Sequence, residues 1–162
     1  MYKKLTAISA ALLISACSSM GSNDADKQAM DSKAEMEMSA ETLQVNEQAL
    51  QHHHWVLTHI DGKAVEVDEN FKAPTLEIGE KMTTNGNAGC NNFFGQGELK
   101  DGKFRIQQMG MTMKMCPEGV MNTEMAYSKA LSEWNDVVLT KQTMELKSAE
   151  HTLTFQLKDW VN

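Results

Sequence analysis

Asp101 and Gly102 stand between two segments in which apolar and polar residues alternate, 93–100 and 103–107. A two-residue connection between such segments reverses the chain with positive φ at both positions, a conformation Asp-Gly tolerates, so a β-hairpin is expected here. The same pattern recurs: 55–60 ends at Asp61-Gly62, 75–78 at Gly79, and 81–84 at Asn85-Gly86. Each segment reads as a strand closed by a turn signal. After Pro117, a favoured first helical residue, 118–134 carries Val120, Tyr127, Leu131 and Trp134 at near-helical spacing, which predicts one amphipathic helix. Strands return at 137–140, 144–147 and 152–157, the last placing Leu153, Phe155 and Leu157 on one face. The expected class is mainly β (α+β): a small curved antiparallel sheet or barrel-like domain with one packed α-helix.

The chain opens MYKKLTAISAALLISACSSMGS, with Lys3 and Lys4 ahead of an apolar run ending at Ala16. This is the layout of a secretory signal. The run is about 12 residues, short of the roughly 20 that a helix needs to cross a bilayer. Leu13-Ile14-Ser15-Ala16-Cys17 resembles the lipobox of bacterial lipoproteins, which implies diacylglycerol on the Cys17 sulfur, cleavage before it and acylation of the new amine. Three acyl chains would hold the protein to a membrane, where a single chain binds reversibly. In the alternative reading the protein is soluble or signal-anchored and Cys17 is incidental. Ser18, standing where Asp would retain such lipoproteins at the inner membrane, points to the outer membrane with the domain in the periplasm. Residues 1–16 are therefore read as signal peptide, 17–48 as lipidated cysteine plus tether, and 49–162 as the folded domain.

The formal charge is −7, and loss of Lys3 and Lys4 with the signal makes the remainder more negative. Nucleic acid is excluded as a partner, since it demands a basic footprint. Between Ser18 and Gln48, acidic residues outnumber Lys27 and Lys33 and no aromatic residue occurs, a composition that favours a flexible tether with room for a short helix around 31–47.

With Cys17 assigned to lipid, Cys90 and Cys116 remain in an oxidising compartment, which predicts a disulfide. Two free buried thiols or a thiolate metal site are the alternatives. Redox catalysis would call for Cys-x-x-Cys spacing.

The stretch Asn85-Gly86-Asn87-Ala88-Gly89-Cys90-Asn91-Asn92-Phe93-Phe94-Gly95-Gln96-Gly97, with Met111-Thr112-Met113-Lys114-Met115-Cys116-Pro117 after it, resembles the META domain of the HslJ heat-shock family. Supporting the resemblance are the lead-in Gln51-His52-His53-His54-Trp55-Val56-Leu57, Ile78-Gly79-Glu80-Lys81-Met82, and His151-Thr152-Leu153-Thr154-Phe155, so that it covers nearly all of 49–162. The motif residues are Gly89, Asn91, Phe93, Gly95 and Thr112. The resemblance implies a compact barrel-like fold with a helix, an envelope location, and an association with heat shock and novobiocin resistance, with no enzymatic activity and no cofactor. One departure stands out: the family often has a basic residue and then Met after its Thr, whereas here Met113 precedes Lys114. In an extended segment that swap exchanges the faces of cation and thioether.

Met109, Met111, Met113 and Met115 alternate, and thioethers suit Cu(I) or Ag(I), so one hypothesis is a soft-metal site on a Met-rich strand. The alternative is that unbranched Met fills a buried strand face or lines an adaptable apolar surface. His52, His53 and His54 invite a metal reading too, yet neighbours in an extended segment point to opposite faces, which favours a polar lead-in to the first strand. No nucleophile elbow, His-Glu-x-x-His or phosphate-cradling glycine loop occurs. Gly86, Gly89, Gly95 and Gly97 are read as turns, bulges or points of close backbone approach. The expected function is noncatalytic binding of an envelope protein or a small apolar ligand.

Overall fold

The computed structural model describes residues 41–67 and 69–160. The signal peptide, Cys17 and the tether up to residue 40 lie outside the described residues. In chain order the elements are α1 (Glu47–Leu50), β1 (His53–Ile60), β2 (Lys63–Ala64), β3 (Thr75–Ile78), a 3-10 turn (Glu80–Met82), β4 (Thr83–Asn87), β5 (Asn92–Lys100), β6 (Lys103–Met111), α2 (Glu118–Ser132), β7 (Asn135–Leu139), β8 (Thr143–Lys147) and β9 (Thr152–Trp160).

Eight strands run β1-β3-β4-β5-β6-β7-β8-β9, and β9 pairs back onto β1 to close an antiparallel barrel, with the two-residue β2 folded against the end of β1. Closure leaves no free edge along most of the sheet, the liability an open sheet carries. The Asp-Gly signals do what their chemistry predicts. Asp101 and Gly102 have φ of 51° and 76°, and Asp61 and Gly62 have 53° and 74°. Alternation fills the barrel with Trp55, Leu57, Leu76, Ile78, Phe104, Ile106, Met144, Leu146, Leu153 and Phe155. Each such side chain contributes about 1.5 to 3 kcal/mol by leaving water.

The weakest join is between β6 and β7, which share only the pairs Lys103 with Asp136 and Phe104 with Asn135. Helix α2 is inserted in the chain between these two strands and packs against β6. Its buried Tyr127 approaches Phe93 edge-on and lies beside Phe155, while the phenol donates to the Thr75 carbonyl at 3.0 Å. Burial pushes the Tyr127 phenol well above its ordinary pKa, so it remains a donor. Buried Asn135 closes the far end, its amide reaching the Ala130 carbonyl at 2.8 Å and the Glu133 carbonyl at 2.7 Å.

Four expectations change. The segment 81–84 is not a strand from its start: Lys81 and Met82 have positive φ in the 3-10 turn, and pairing begins at Thr83. Asn85-Gly86 is no turn but lies inside β4, Gly86 pairing with both Leu76 and Phe93. A Cβ there would sit 2.0 Å from the Thr75 carbonyl oxygen and 2.8 Å from the Phe93 ring, so glycine answers to backbone approach. The helix stops at Ser132, and Trp134 instead takes the Arg105 guanidinium over its ring at 4.3 Å. Packing also extends upstream of residue 49: Leu43 N donates to the Leu139 carbonyl at 2.7 Å, and Leu43 and Val45 pack against the core.

Gly86→Ala is expected to destabilise the domain by about 1 to 3 kcal/mol, the range for forcing extra atoms into a packed site. Urea unfolding checks this. A loss under about 0.5 kcal/mol, the scatter of ordinary surface changes, would contradict the contact geometry.

Candidate functional site

The β4–β5 connection is tightened by its own side chains. Asn87 Oδ1 accepts from Gly89 N at 2.8 Å, its Nδ2 donates to Asn92 Oδ1 at 2.9 Å, and Ala88 N donates to the Asn91 carbonyl at 2.7 Å. Gly89 sits at φ 111°, a conformation L side chains rarely adopt. Cys90 is joined to Cys116 with Cα atoms 6.1 Å apart, the disulfide expected for an exported chain.

Asn91 is the centre of the arrangement, and it is 2% exposed. Its Oδ1 accepts from Lys114 N at 2.7 Å and from Thr112 Oγ1 at 2.9 Å. Its Nδ2 donates to the Lys114 carbonyl at 3.1 Å and to Glu124 Oε1 at 2.9 Å, and its backbone N–H donates to Glu124 Oε2 at 2.7 Å. Thr112 adds a second tie, its N–H donating to the Asn92 carbonyl at 3.0 Å and its Oγ1 accepting from Asn92 N at 3.1 Å. One amide thus locks the β4–β5 connection, the segment after β6 and helix α2 together.

Gly95 belongs to a different device. It faces a bulge in β6, where the register jumps between Phe94 and Gln96 and Gln108 has φ 50°. A Cβ on Gly95 would lie 2.4 Å from Ile106 Cγ2. The extra residue shifts which positions face inward, from Phe104 and Ile106 before the bulge to Met109 and Met111 after it. β6 then ends, and Met113 and Met115 are 96% and 90% exposed. The four methionines therefore do not form one face: two pack on the core and two stand in solvent. Nor do the three histidines converge. His52 pairs with Glu80, His53 stacks on Trp55, and His54 pairs with Asp159. No cluster of three or more His, Cys, Asp or Glu suited to a metal occurs among the described residues.

The clamp forms one wall of an open cleft of about 790 Å³. Gly89, Cys90, Asn92, Phe93, Lys114 and Cys116 line that side, and Lys72, Lys158, Asn85 and Glu77 line the remainder. A second cleft of about 730 Å³ lies between the β1–β2 hairpin and the first turns of α2, with Ile60, Val65, Val67 and Val120 in its walls. At its rim Asp61 accepts from Thr152 N and pairs with His151, contacts that lower its pKa.

Of the motif positions read from sequence, Asn91 and Thr112 meet in this clamp with Gly89 beside it, Gly95 serves the β6 bulge and Phe93 packs on Tyr127, whereas Glu124 was missed. Its signal was present: Glu124 shares the helix face of Tyr127 and Leu131, an odd place for a carboxylate unless a donor awaits it.

A closed barrel packed with one main helix and stapled at this motif defines a small β-barrel domain. Residues 48–160 match the META domain profile, and the chain belongs to the META domain family. It is 36% identical over 126 residues to the heat shock protein HslJ of Escherichia coli K12, an alignment spanning 77% of this chain and 88% of that one. One solution NMR structure, 36% identical, superposes with a TM-score of 0.61 over 70% of this chain and 96% of its own. Another, from Burkholderia xenovorans, is 26% identical, with a TM-score of 0.59 over 75% of this chain and 96% of its own.

Proposed function

We propose that this chain is a noncatalytic lipoprotein of the bacterial envelope, anchored at the outer membrane through Cys17 with its META domain in the periplasm. In this reading the domain serves the heat-shock and envelope-stress response, with a link to novobiocin resistance, by binding a protein or a small ligand. The observation that carries the binding role is how the motif uses its polar groups. Asn91, Thr112 and Glu124 are committed to fixing backbone, and what they fix is the wall of an open cleft. Groups already engaged in this way hold a surface in shape, where catalysis would need them aimed at a substrate. The relative named for heat shock supports the stress association. A small apolar ligand would use the second cleft, beside Val65 and Val67.

Photo-crosslinking amino acids at Asn85 in the first cleft and Val67 in the second, in cells grown with and without heat stress, test this. Capture at Asn85 of a defined envelope component supports a partner on the motif cleft, and capture confined to Val67 moves the site to the apolar one. Capture at neither position under stress contradicts the binding role.

A further inference from the structure

We propose that the motif cleft recognises a small anionic group, a phosphate or a carboxylate. This rests on the reading of that cleft as the binding site. In a chain of net charge −7, Lys72, Lys114 and Lys158 line one cleft whose only acidic lining residue among the described residues is Glu77. None of the three lysines is in an ion pair among the described residues, so each ammonium is available to a ligand. Asn85 and Asn92, both exposed, line the same cleft, and the Asn92 side-chain amide nitrogen has no acceptor among the described residues. His54 is there too, with its Nδ1 facing Asp159. The surface is therefore rich in donors and poor in acceptors, the reverse of a cation site.

Lys114 is held at both of its backbone polar groups. Its side chain is exposed, yet its N–H and its carbonyl both bond to buried Asn91, and Cys90 Sγ lies 3.5 Å from the same carbonyl. The same contacts that stabilise the domain therefore also fix this exposed connection, two residues before the disulfide at Cys116. Holding that backbone in place presents its ammonium at a set point on the cleft rim, which lowers the ordering cost of binding. The order Met113 then Lys114 acquires a reason as well: the cation lines the cleft while the thioethers on either side point to solvent.

The test is an NMR titration of the ¹⁵N-labelled protein, purified from cells that export it, with inorganic phosphate, with acetate, and with phosphatidylglycerol vesicles in a phosphatidylcholine background. Saturable shifts at the amides of Lys72, Asn85, Asn92, Lys114 and Lys158, diminishing as sodium chloride is added, are expected. Lys114→Gln should weaken binding about fivefold, and Lys72→Gln, Lys114→Gln and Lys158→Gln combined by more than about tenfold, since each close charge is worth roughly 1 kcal/mol in water. Lys100→Gln with Lys147→Gln, away from the cleft, should leave it unchanged. Saturation by phosphate or acetate assigns a free anion, and response to the vesicles alone assigns a lipid headgroup. Shifts that never saturate with any probe, or a triple variant that titrates like the parent, overturn the proposal. Crosslinking at Asn85 that still captures a partner would then leave the binding role standing and remove only its anionic ligand.

Discussion

Alanine in place of Asn91 is expected to destabilise the domain by about 3 to 5 kcal/mol, from several lost hydrogen bonds at roughly 1 kcal/mol each and a larger penalty for a buried charged group. The substitution strips one donor from the Glu124 carboxylate, which is 6% exposed, and leaves the Lys114 N–H and carbonyl without their partner. Glu124→Gln preserves shape but turns an amide N–H₂ toward donors, so it should fall between the parent and Asn91→Ala. Urea unfolding of the three proteins measures this order. A Glu124→Gln protein as stable as the parent would mean that the carboxylate is not what Asn91 requires.

Opening the disulfide carries the other large effect. Closing a 26-residue separation restricts the unfolded chain by about 3.5 kcal/mol in the loop-entropy model, so Cys90→Ser with Cys116→Ser should lose about that much. For a domain of this size the loss lowers the melting temperature by about 10 to 15 °C. Calorimetry of the double variant, or of the parent in dithiothreitol, checks it; a shift of under about 2 °C would contradict the staple. Because Asn91 adjoins Cys90 in the chain, the two losses are expected to couple rather than add. Together they approach the whole stability of an ordinary domain, about 5 to 15 kcal/mol.

Particular residues show why some of this was readable in advance. Asp101-Gly102 and Asp61-Gly62 were legible because turn chemistry is local, and positive φ at Asp and Gly needs no distant partner. The disulfide followed from the oxidising compartment expected from a signal-like start. Alternation left barrel and curved sheet open and the family resemblance implied the barrel, because closure depends on β1 pairing with β9 across most of the domain, and alternation marks faces without naming neighbours. Of the two readings of Gly86, the turn failed and close backbone approach held, since an Asn-Gly dipeptide is the same signal whether it turns the chain or admits a carbonyl and an aromatic ring. The Met series failed as a single face because β6 ends at Met111 and leaves Met113 and Met115 in the exposed connection that follows, and alternation along the chain does not announce where pairing stops. Asn91 was recognisable as a motif position suited to satisfying backbone groups, but which groups was hidden. Its partners, Thr112, Lys114 and Glu124, are 21 to 33 residues away.

The most direct test of the clamp is hydrogen exchange at the Lys114 amide. That N–H lies in an exposed connection, and its protection depends on the Asn91 side chain 2.7 Å away. The account predicts slow exchange in the parent and fast exchange in Asn91→Ser under conditions where the amides of Leu76 and Phe155, deep in the barrel, remain protected in both. Exchange of Lys114 at the rate of an unstructured peptide in the parent would show that the wall of the cleft is not held, and the case for a prepared binding surface would go with it.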